Sequence, residues 1–100
     1  MNTYTDFSRK GIPLIRVFAL AELITECQIL GVKIKNVFFF QNGFQVYFEN
    51  CDGDAIIHDN SYGCSYGLWE TFRFPWDDHD VTVHDSKELA KLVSELQKGE

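Results

Sequence analysis

The sequence predicts an α+β fold: an N-terminal helix, a three- to four-stranded antiparallel meander, and a C-terminal helix packed on one sheet face. Three observations carry this. Apolar residues recur at helical spacing over 17–30 and again over 89–96. Between those stretches, residues 32–59 contain three strand-like runs. Asn42-Gly43 and Asp52-Gly53 punctuate the runs as hairpin signals.

Residues 1–11 are polar, end at Gly11 and read as a flexible arm or a short edge segment. Pro13 suits the first turn of a helix, where its missing N–H costs nothing. Val17, Leu20, Leu23, Ile24, Cys27 and Leu30 form the apolar stripe, and Gly31 supplies a left-handed stop. The start of this helix has an alternative: residues 12–18 as a short strand leading into a helix from Ala19.

The first strand covers residues 32–41, the second 44–50 and the third 55–59. With two-residue loops at both turns, Phe39 pairs with Val46, Val37 with Phe48, and Phe48 with Ile57. One face then carries Val37, Phe39, Phe44, Val46, Phe48, Ala55 and Ile57. The other carries Ile34, Phe38, Phe40, Tyr47, Ile56 and His58, mixed with Asn36, Gln45 and Glu49. This second face is half apolar, so either the chain or a partner covers it.

Residues 60–67, with a doubled Ser-Tyr-Gly, read as a loop. Residues 68–74 form a candidate fourth strand stopped by Pro75, and residues 81–83 a short extended piece. In the last helix Asp85 caps the N-terminus, Glu88 completes a capping-box pattern, and Leu89, Leu92, Val93 and Leu96 make the buried stripe.

One hundred residues, 45% hydrophobic and 15% aromatic, suit a single domain (1–100) that folds without staples. Nine basic residues against fifteen acidic ones give −6. The basic residues are scattered, which argues against direct nucleic-acid binding and favours a partner protein with a basic surface. Cys27, Cys51 and Cys64 make an odd count without a CxxC, which fits a reducing cytoplasm better than secretion. Arg16, Glu22 and Glu26 interrupt the most apolar run, so no membrane span is expected.

The densest polar cluster is Asp77, Asp78, His79, Asp80, His84 and Asp85. Carboxylates and imidazoles together can hold a divalent metal for hydrolysis, but no HExxH or HxH is present, and Asp85 is already explained as a cap. Asp52-Gly53-Asp54 lacks the other ligands of a calcium loop. Cys64, in a glycine-containing loop, is a weak candidate nucleophile, and Cys27 on the helix stripe is core. No P-loop or dinucleotide fingerprint occurs, and no catalytic residue, metal or cofactor is expected.

The aromatic segment Tyr62, Tyr66, Trp69, Phe72, Phe74 and Trp76 contains Arg73 and is followed by acidic residues. Tyr, Trp and Arg are the residue types that anchor interfaces. The expected partner-binding set is Tyr66, Trp69, Phe72, Arg73, Trp76, Asp77, Asp78 and Asp80. The alternative use of these rings is to fold over the half-apolar sheet face as a second small core. In size and acidic composition the whole chain resembles small phage and mobile-element proteins, including anti-CRISPR inhibitors. That resemblance implies a non-catalytic inhibitor covering a basic or nucleic-acid-binding surface of its target. The competing expectations are a metal-dependent hydrolase using residues 77–85 and a structural homodimer burying the half-apolar face.

Overall fold

The computed structural model describes residues 12–78 and 82–99. The residue 1–11 arm, His79, Asp80 and Val81 therefore lie outside the described residues. Among the described residues the fold consists of two α-helices and one antiparallel sheet, in the order α1 (Leu14–Leu30), β1 (Ile34–Phe39), β2 (Phe44–Phe48), β3 (Asp54–Ile57), β4 (Trp69–Phe72), β5 (Thr82–His84) and α2 (Ser86–Lys98). The strands lie in sequence order, so the sheet is a five-stranded meander, one strand more than expected. The extra strand is the short piece after the acidic run, which pairs with β4 through Trp69–His84 and Thr71–Thr82.

Helix α1 begins directly after Pro13, which settles its start against the strand alternative. It ends at Gly31 with φ 74°. Val32 N–H donates to the Cys27 carbonyl at 2.8 Å and Gly31 N–H to that of Gln28 at 3.3 Å, a Schellman closure that satisfies the last-turn carbonyls. In α2 the Asp85 carboxylate accepts from Glu88 N–H at 2.7 Å, as the capping pattern requires.

Both hairpin registers differ from expectation. Phe39 pairs with Phe44 and Val37 with Val46, because the turn residues are Gln41 and Asn42. Gly43 serves another purpose: a Cβ there would lie 1.9 Å from the Ile57 carbonyl oxygen, so its lack of a side chain lets β3 close up. Phe44, not Phe48, pairs with Ile57, because the β2–β3 connection spans five residues, 49–53. Gly53 lies beneath the Phe74 ring, 2.6 Å from where a Cβ would stand. The slips are two and four residues, both even, so the assigned faces survive them. One residue changes face. A bulge between Ile34 and Asn36 sets Ile34 opposite Phe48, on the helix side of the sheet.

Both helices pack on that side. Leu23 and Cys27 of α1 and Leu89 and Val93 of α2 share one core with Val46, Phe48, Ile57 and Trp69. Ser86 locks the layers together: its Oγ accepts from Trp69 Nε1 at 2.9 Å and donates to the Ala19 carbonyl at 2.7 Å. No helix among the described residues is long and apolar enough to cross a membrane.

Candidate functional site

The aromatic segment does not fold over the sheet. It enters the sheet as β4, and strand alternation then divides its side chains between two faces. Trp69 is fully buried under both helices, so it has no surface to offer a partner. Phe74 is also buried, stacked on Trp76 with ring centroids 4.5 Å apart. Trp76 is half-buried against the core, and its Nε1 donates to Thr71 Oγ1 at 3.1 Å. Phe72 and Arg73 are exposed, with Phe72 opposite Asp54 on the open face.

The acidic members divide in the same way. Asp77 braces its own turn: its carboxylate accepts from Thr71 Oγ1 at 2.8 Å and also from Thr82 Oγ1. Asp78 is exposed, and Asp80 lies outside the described residues. The described members of the expected partner-binding set thus form no single surface.

No group of three or more His, Cys, Asp or Glu side chains able to hold a metal occurs among the described residues. His84 instead bonds Glu88 Oε1 at 3.0 Å and Thr82 Oγ1 at 3.1 Å. The cysteines form no disulfide. Burial, with the Glu26 charge adding to it, pushes the Cys27 thiol up to about 11, consistent with its core position.

Arg16, legible in the sequence only as a charge in an apolar run, is a buried clamp. Its Nη1 donates to the Asn42 carbonyl at 2.8 Å and to Asp59 Oδ1 at 2.7 Å, fastening α1 to the β1–β2 turn. Its Nη2 lies 3.6 Å from Cys64 Sγ. Hydrogen bonds from Arg16, then from Asn42, hold the Asp59 carboxyl below its usual range. On the open sheet face, Arg73 Nη2 reaches buried Asp54 at 2.8 Å, from a left-handed backbone with φ 65°.

Tyr66 stands on a different surface, and its neighbours there come from α1. A short 3₁₀ turn, Cys64–Tyr66, is bracketed by Gly63 and Gly67 at φ 80° and 73°. The doubled Tyr-Gly thus has a structural use: each glycine turns the chain while Tyr62 and Tyr66 point outward. A Cβ on Gly67 would stand 3.1 Å from Ile15 Cγ1, so this turn lies close against the helix. The result is a depression of about 430 Å3 lined by Ile15, Phe18, Glu22, Tyr66, Leu68 and Asp85, with no cation in its lining among the described residues. Phe18 is 65% exposed and Tyr66 80%.

The sequence reading missed Ile15 and Phe18. Their signal was present: with Glu22 they recur at helical spacing on a second face, away from the stripe that builds the core. Compared with known proteins, the chain matches no family model, no curated protein and no solved structure.

Proposed function

We propose that the chain is a non-catalytic protein-binding module whose docking site is the Phe18–Tyr66 depression and whose partner presents a basic, partly apolar surface. One observation carries this reading: two exposed rings and Ile15 lie together, with Glu22 and Asp85 as the charged members of the lining. An aromatic centre with a charged rim is the usual anatomy of an interface. The acidic balance of the whole chain steers the same class of partner toward it. In its sharpest form the module is an inhibitor, with these carboxylates standing where a target's nucleic-acid phosphates would lie.

The test starts from a partner isolated by crosslinking in the native host. Phe18→Ala with Tyr66→Ala should weaken capture by ~2 kcal/mol or more if these rings are anchors. Glu22→Lys should mainly slow association and flatten its salt dependence. Oligonucleotide competing with the module for that partner would support the inhibitor form. A folded Phe18, Tyr66 double variant that binds like the parent would remove this site from consideration.

A further inference from the structure

The margin of the sheet formed by β1 has a different character. Strand β1 pairs with β2 alone, so no other strand lies along its far side among the described residues. Val37, Phe38, Phe39 and Phe40 are 41%, 48%, 75% and 49% exposed. Alternation places Val37 and Phe39 on the helix side and Phe38 and Phe40 on the open side, so the margin is apolar on both faces. Long apolar edges are normally blunted by charge, proline or a covering element. Here a bulge beside Lys35 protects only the start of the strand.

Charge discriminates between occupants. No Asp or Glu occurs between Glu26 and Glu49, and Lys33 and Lys35 are the only charged residues in that stretch. On β1 itself a basic partner finds no counter-charge. A second copy of the same strand does fit.

We propose that β1 pairs antiparallel with β1 of a second copy about a two-fold axis at Phe38, joining two sheets into one. In that register Phe38 faces Phe38, and each Val37 faces the other copy's Phe39. The two Lys35 residues then stand ~20 Å apart along the strands, beyond the ~8–10 Å screening length at moderate salt. Symmetric pairing of one patch with itself is the commonest way soluble chains associate.

The area involved sets the strength. The exposed parts of the three rings offer on the order of 350 Å2 per copy. Even with the main chain and Val37 added, this stays near the lower end of the ~1,200–2,000 Å2 typical of stable complexes. The dimer is therefore concentration-dependent. It strengthens with added salt, because each copy carries −6 and screening relieves their mutual repulsion. Binding of a basic partner at Phe18–Tyr66 has the opposite salt dependence, so the two proposals fail separately.

Sedimentation velocity from micromolar to millimolar protein tests the pairing. The wild-type chain should pass from monomer to dimer. Phe38→Lys and Phe38→Asp should each weaken dimerisation by about tenfold or more, since like charges then meet at the axis. An equimolar mixture of the two should dimerise again. Phe39→Lys, altering the most exposed ring of β1, gives the same loss and serves if Phe38 proves necessary for folding. A wild-type chain that stays monomeric, single variants that dimerise unchanged, or a mixture that stays monomeric would each overturn the proposal.

Discussion

An edge strand and an inner strand of the sheet use aromatic residues to opposite effect. Phe39 in β1 and Trp69 in β4 both point toward the helices, yet Phe39 is 75% exposed and Trp69 fully buried. Local alternation gives each ring its direction. Burial is decided by what lies above it. The shared core joins both helices to β2, β3 and β4, while β1 contributes only partly buried Ile34. An aromatic side chain on the correct face of a strand is therefore a core residue only where a second layer reaches it.

Substitution in the two strands should separate them sharply. Trp69→Ala should cost ~3–5 kcal/mol, the usual loss for a large buried aromatic. Phe39→Ala should stay within about 0.5 kcal/mol, as exposed positions do. Urea titration of both variants measures the contrast, and similar losses would dissolve it.

A smaller effect tests how β4 is tied to the helices. Ser86→Ala removes the acceptor for Trp69 Nε1 and the donor to the Ala19 carbonyl. Leaving the buried Trp69 Nε1 without its acceptor should cost roughly 1–3 kcal/mol. Ser86→Thr, which keeps the hydroxyl, should recover part of it if the added methyl is accommodated.

The smallest effect concerns the ring that directly follows β1. Phe40 meets the His58 ring edge-on at 5.3 Å. Burial lowers the His58 pKa below its ordinary 6.5, outweighing the nearby Glu70 charge, which raises it, while the Arg16 charge adds to the lowering. The unfolded chain then takes up the proton first, so this group's contribution to stability is full above pH 6.5 and declines as pH falls toward the lowered folded value. NMR titration of Phe40→Ala should return His58 toward 6.5 and flatten that part of the stability–pH profile. An unmoved titration would mean that Phe40 does not supply the burial.

Much of this fold is legible along the chain. Pro13, Gly31 and Asp85 set helix ends through groups within a few residues of themselves, and each acts in the structure as its chemistry implies. Strand faces were legible too, surviving two register errors because both slips were even. The turns were less so. Asn42-Gly43 reads as a hairpin pair, yet Gly43 is needed for the approach of β3 and Gly53 for the ring of Phe74, fourteen and twenty-one positions away. Of the expected partner-binding residues, Tyr66 lies in the proposed docking depression, while Trp69 went to the core. Composition marks an excess of rings without saying which of them meet.

The sequence alone determined the α+β class, the end of the first helix and the start of the last, the alternation of the strands and the acidic balance, because each depends on near neighbours or on simple sums. Only the tertiary structure decided that Trp69 is sealed and Phe39 open, that Arg16 clamps Asp59, and that α1 brings Phe18 to Tyr66. Those outcomes depend on where the helix layer ends and on contacts between distant segments, and neither is written in the spacing of residues along the chain.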